Sequence, residues 1–233
     1  MKRRFPLLGL LVLVLLLAAC APAPELRDST LLQDESLIER SDSCEAPCWR
    51  GITPGETVWR DALTVVEDDA ALTNLQLEQV PDSNAIVAAF QGAGSEQPCC
   101  QLLTREGDTV DVIFLRIAPT LDVGDVIEAW GEPQYAVGSP FSDGQAIMNL
   151  IYPDVPMVVV AFVAGPEGSI SSSSEVIGAW YMTDSDMELL VGTTELHFWE
   201  GYDTFAAYDA EEGTFDTTPS ITLTPTLEAT PAP

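Results

Sequence analysis

Histidine occurs once in the 233-residue chain, at position 197. A His-rich metal centre is therefore excluded, and a single imidazole is left for any Ser–His or Cys–His arrangement. Cations are also scarce, nine Lys and Arg against 37 Asp and Glu, for a formal charge of −28. A phosphate backbone is gripped by a basic stripe, so the balance argues against nucleic-acid binding. No G-x-S-x-G occurs, which removes the strained turn that presents a hydrolase serine. The longest apolar run, Leu7 to Ala19, has 13 residues, short of the ~20 that span a bilayer as a helix. What the chain does have is a core: hydrophobic residues are 46% and mean hydropathy is +0.15. That suffices for one ordinary domain or two small ones.

Lys2, Arg3 and Arg4 precede the apolar run, which ends in Leu17-Ala18-Ala19-Cys20. A basic start followed by a short apolar stretch reads as an export signal. The sequence LAAC resembles the lipobox of bacterial lipoproteins. That resemblance implies cleavage before Cys20 and a diacylglycerol on its thiol, so the expected location is the cell envelope, anchored by lipid and facing outside the cytoplasm. Removing residues 1–19 takes all three n-region cations. It leaves 37 acids against six arginines, no lysine, and a formal charge of −31. Such a surface suits solubility outside the cell and favours cationic partners.

Residues 20–43 begin with Pro22 and Pro24 and are mostly polar, and are read as a lipidated tether with a turn or two of helix around Leu31, Leu32, Leu37 and Ile38. As a flexible coil they would reach roughly 25–30 Å. Residues 214–233 hold seven Thr and four Pro, a composition that builds no core and predicts a disordered tail. The folded part is expected over 44–213, divided at 119/120.

Within it, Thr53-Pro54-Gly55-Glu56 reads as a capping box opening a helix near 54–68, with Trp59, Ala62, Leu63 and Val66 at helical spacing. Strand patterns follow near 75–80, 85–91, 99–105 and 109–117. A second helix is predicted near 123–130, capped by Asp122 and stopped by Gly131-Glu132-Pro133. Further strands fall near 134–137, 145–152, 156–164 and 174–182. The aromatic stretch from His197 to Tyr208 is expected to dock as a short helix. One helix plus about four strands, twice over, supplies too few crossovers for parallel pairing. The expected fold is α+β, with antiparallel strands in two tandem repeats and the helices on one face of the sheet.

The helix ending in Trp130-Gly131-Glu132-Pro133 and followed by strands resembles small envelope lipoproteins of the SmpA/OmlA (BamE-like) type. The tandem arrangement is similar to the β-lactamase-inhibitor-protein fold. Pro47-Cys48-Trp49-Arg50-Gly51-Ile52-Thr53-Pro54-Gly55 also resembles a recurring stretch in surface lipoproteins. These resemblances bring no catalytic residue and imply binding or assembly.

The remaining chemistry-bearing residues are few. His197 lies among Glu195, Phe198 and Trp199 and reads as structural. Asp184-Ser185-Asp186-Met187-Glu188 has alternating oxygens like a calcium loop, but lacks the glycine and distal glutamate that complete one; a turn is expected. Trp49 and Trp59 read as core. Cys44, Cys48, Cys99 and Cys100 are even in number and lie in an exported chain, so disulfides are expected. Pairing between the two clusters closes the longer loop, roughly 50 residues and worth ~4 kcal/mol in the chain-entropy model. The expectation is therefore 44–99 with 48–100, or 44–100 with 48–99. Together these features predict a lipid-anchored, non-catalytic module without a cofactor that binds an envelope protein. The alternatives are a carboxylate-dependent secreted hydrolase and a cation-binding surface protein. Oligomeric state is left open.

Overall fold

The computed structural model describes residues 25–41 and 43–210; Cys20 and the Thr/Pro-rich tail lie outside them. Nine strands form a single antiparallel sheet: β1 (Leu72–Gln79), β2 (Ile86–Gly92), β3 (Cys100–Thr104), β4 (Val112–Arg116), β5 (Tyr135–Ser142), β6 (Gln145–Tyr152), β7 (Met157–Val163), β8 (Val176–Met182) and β9 (His197–Phe198). Their order across the sheet is β1-β2-β3-β4-β8-β7-β6-β5-β9. Within β1–β4 and within β5–β8 neighbours in sequence pair as hairpins, β9 pairs with β5, and β4 joins β8 with Phe114 opposite Trp180. Asp143-Gly144 makes the tight turn between β5 and β6, where Ser142 faces Gln145. The fold is thus α+β around one antiparallel sheet.

Side-chain alternation separates two apolar layers. On β7, Met157, Val159, Ala161 and Val163 enter the larger, inner cluster, and Val158 enters a smaller, outer one. Helices α1 (Trp59–Asp68) and α2 (Val123–Trp130) pack into the inner cluster through Trp59, Ala62, Val66, Val123 and Val126. A third helix, α3 (Asp184–Thr193), is seated on the outer face, where Met187 packs with Val137, Ile151, Val158 and Met182. The helices therefore occupy both faces of the sheet, not one.

The capping box read at Thr53 does not open a helix. Gly55 donates its N–H to Val110 O (2.7 Å), Val110 to Thr57 O (3.0 Å) and Trp59 to Asp108 O (2.8 Å). Thr53 O accepts from the Glu56 and Thr57 N–H groups (3.2 and 3.0 Å) in a single turn whose ends are held by pairing with 108–110, Gly55 takes a φ of +79°, and α1 starts only at Trp59. α2 matches its pattern. Asp125 accepts from the Asp122 N–H at 2.9 Å, and the first free helical N–H groups, of Val123 and Gly124, go to Ser174 O (2.9 Å) and Ser172 O (2.8 Å). Asp184–Thr193, read as a turn at its start, is a helix because Thr183 accepts from the Asp186 N–H. The 197–208 stretch is not one short helix. His197 and Phe198 pair with β5, and a single 3-10 turn at Phe205–Ala207 sets the buried Phe205 ring against Gly138, where a Cβ would approach it to 2.6 Å.

The expected tether is docked from residue 25 onward. Leu31, Leu32 and Leu37 are buried in the inner cluster, Ala118 donates to Leu32 O (2.8 Å), and Trp130 Nε1 donates to Leu37 O (2.8 Å). Burial of these three leucines, at roughly 1.5–3 kcal/mol each, works together with these hydrogen bonds to order the segment.

The disulfides are local. Cys44 pairs with Cys48 and Cys99 with Cys100, at Cα separations of 5.2 and 3.7 Å. The inter-cluster expectation is overturned because Trp49 and Ile52, both fully buried, are the residues that turn toward the core. Trp49 stacks on Phe90, the ladder partner of Cys100, with centroids 5.9 Å apart. Cys44 and Cys48 stay half-buried at the surface, and Cys99 and Cys100 are sealed inside.

Candidate functional site

The outer face of the sheet is apolar well beyond the footprint of α3. Phe114 on β4 meets Trp180 on β8 with ring centroids 4.3 Å apart, and Leu103, Val112, Ile147 and Phe162 are only half-buried. Beside α3 this face deepens into a groove of about 350 Å³. Val112, Val158, Trp180 and Met182 line it from the strands, and Leu189, Leu190, Thr193 and Thr194 from the helix side. Leu189 stands 61% exposed, an apolar side chain on a helix of an otherwise acid-rich surface.

Trp180 Nε1 is buried and has no hydrogen-bond acceptor among the described residues, although a buried indole N–H ordinarily finds one. The polarity of the groove comes from Arg105, which closes one side. Its two terminal nitrogens reach Asp186 at 3.1 and 2.6 Å, and one of them lies 3.2 Å from Asp111. The Asp186 hydrogen bonds raise the Arg105 pKa against the opposing effect of burial. Asp186 is in turn held by the Thr183 hydroxyl at 2.8 Å. The pair fixes the first turn of α3 against the β3–β4 loop, so the groove has a defined wall.

At the other end of the strands lies a polar hollow lined by Arg27, Asp28, Gln97, Arg116 and Glu175. Arg27 pairs with Glu175 at 3.2 Å and lies over the Phe162 ring, 4.4 Å from its centroid. Burial lowers the Arg116 pKa, partly offset by Asp28.

The residues singled out from sequence fall elsewhere, apart from Asp186. His197 is exposed on the edge strand β9, its Nε2 3.1 Å from Asp209 O. Asp184, Ser185 and Asp186 form the first turn of α3. Trp49 and Trp59 are core. The four cysteines form the two local bridges, with Cys99 and Cys100 within the inner cluster. Of these only Asp186 lines the groove, whose key residue, Trp180, carried no motif. Among the described residues no helix is long and apolar enough to cross a membrane. Compared with protein-family models, with curated proteins and with solved structures, the chain matches none.

Proposed function

We propose that this chain is a lipid-anchored, extracytoplasmic module that binds another macromolecule and performs no catalysis of its own. Cys20 carries the lipid, and the folded part is presented outside the cytoplasm. The sheet is read as two units of one helix and four strands, α1 with β1–β4 and α2 with β5–β8, meeting where β4 pairs with β8. The strand order supports that reading, because each set of four follows the chain as consecutive hairpins.

The observation that carries the binding reading is the groove beside α3, whose apolar floor of Val112, Val158, Trp180 and Met182 runs up to the exposed Leu189. An extended segment of a partner protein fits such a groove. An apolar side chain of that segment fills the space between Trp180 and Leu189. Basic residues flanking that segment would suit the acidic surface.

Photocrosslinking from position 193, on the helix side of the groove, on intact cells tests this. Capture of one defined envelope protein is expected, lost in Trp180→Ala while the thermal midpoint stays within a few degrees. Capture undiminished in both Trp180→Ala and Leu189→Asp would overturn the groove as the binding site.

A further inference from the structure

The start of the docked N-terminal segment and the groove lie at opposite ends of the strands. The docked N-terminal segment meets one end of the sheet. Leu26 N–H donates to Gln145, the first residue of β6 (2.7 Å), and Arg27 reaches Glu175, just before β8. Arg27 also covers Phe162 near the end of β7, and the hollow beside it includes Arg116, the last residue of β4. This pole carries the β5–β6 turn at 143–144 and the loop 164–175.

The groove floor comes from the opposite ends of the same strands. Val112 is the first residue of β4, Val158 the second of β7, and Trp180 and Met182 close β8. The turn between β6 and β7, at 153–156, lies at this second pole. Strands of seven or eight residues separate the poles by roughly 23 Å at ~3.3 Å per residue.

Five peptide units join Cys20 to the docked Glu25, and a fully extended chain covers at most ~18 Å over that length. The span is shorter than the distance between poles, so the body cannot turn over on its leash. We infer that the strands stand away from the anchoring membrane, with the pole of Gln145 and Glu175 against it. The Trp180 groove then sits at the distal pole, open to partners that approach from outside and not to the lipids beneath. The inference rests on lipidation at Cys20, as proposed above.

Energy transfer tests it on the full-length protein in vesicles bearing a rhodamine-labelled lipid. A fluorescent amino acid is placed at Gly144 or Ser172, at the near pole, and at Asn84 or Asp154, at the far pole. Transfer is expected to be several-fold stronger from 144 and 172 than from 84 and 154. Equal transfer from both sets, or stronger transfer from the far set, would overturn the orientation. The mass of the N-terminal peptide reads lipidation separately. A peptide without diacylglycerol defeats the lipoprotein reading itself, whereas a lipidated protein with inverted transfer defeats only the orientation.

Discussion

Trp49 Nε1 donates to Asp34 Oδ2 over 3.1 Å, and through this bond the N-terminal segment is fastened to the loop that follows Cys48. Asp34 is the hub of the contact. Its side chain is only 5% exposed and also accepts from Arg50 Nη2 at 3.2 Å, from the Ser36 N–H at 3.0 Å and from the Ser36 hydroxyl. Arg50 extends the network to Asp69, the residue after α1. Three stretches distant in sequence are therefore joined by one buried carboxylate and one guanidinium.

Asp34→Ala should destabilise the protein by about 2–3 kcal/mol, because it leaves Trp49 Nε1 without an acceptor and removes one of the two partners of a half-buried cation. Urea unfolding at pH 7, followed by tryptophan fluorescence, reads this as a lower midpoint. Trypsin should also cut after Arg27 and Arg40 sooner than in the parent protein, since the segment between them has lost its fastening. Asp34→Asn keeps an acceptor for Trp49 and should recover part of the loss. A midpoint unchanged in the alanine variant would show that the buried leucines alone hold the segment.

The other carboxylate of the network sets an acid sensitivity. Burial pushes the Asp69 pKa up, but the Ala71 N–H and the Arg50 guanidinium together outweigh it and hold the carboxyl below its ordinary value. Folded Asp69 thus protonates at lower pH than unfolded Asp69, for which the ordinary value is about 3.9. Its contribution is complete above that value and fades as pH falls through the folded one. At pH 6, Asp69→Asn should be less stable than the parent by on the order of 1 kcal/mol, both partners being largely but not fully shielded from water. At pH 2.5 the two should approach each other. Urea midpoints at the two pH values check this, and a gap that persists undiminished in acid would remove Asp69 as the titrating group.

Much of the sheet was legible because its strands carry local signals. Gln145–Tyr152 and Met157–Val163 are apolar runs of strand length, and Asp122 with Asp125 marks the start of α2 before any tertiary contact is known. The misreadings share a cause. The Thr53 capping box is a sound local signal that pairing with 108–110 overrides. α3 was hidden because its apolar set is short: only Met187, Leu190 and Val191 fall at i, i+3 and i+4, beside the off-face Leu189 and the turn-like Asp184-Ser185-Asp186. Thr183 and Asp186, a capping pair three residues apart, were the signal that could have found it. The groove could not be read at all. It depends on β4 lying beside β8, which puts Val112 and Trp180 on one surface across 67 intervening positions.

The cysteines make the clearest case of chain statistics yielding to packing. The chain-entropy model favours the pairing that closes the longer loop, but only if the fold brings the clusters together. Here the chain between Cys44 and Cys48 turns back on itself through the contacts of Ser41 with the Cys44 backbone (2.9 and 3.1 Å) and of Cys48 N–H with Glu45 O (2.9 Å). Cys99 and Cys100 are held at the start of β3 by Phe90, whose carbonyl accepts from the Cys99 N–H at 3.1 Å. Each pair is thus settled within its own segment. Trypsin cuts after Arg40, Arg50, Arg60 and Arg105, so Cys44 and Cys48 fall on peptide 41–50 and Cys99 and Cys100 on peptide 61–105. From thiol-blocked, unreduced protein the two peptides should be recovered separately. Neither should carry the blocking group, and each should gain the mass of two hydrogens on reduction. A single species containing both peptides, resolved only by reductant, would return the inter-cluster pairing. Two separate peptides each carrying two blocked thiols would show that neither bridge forms.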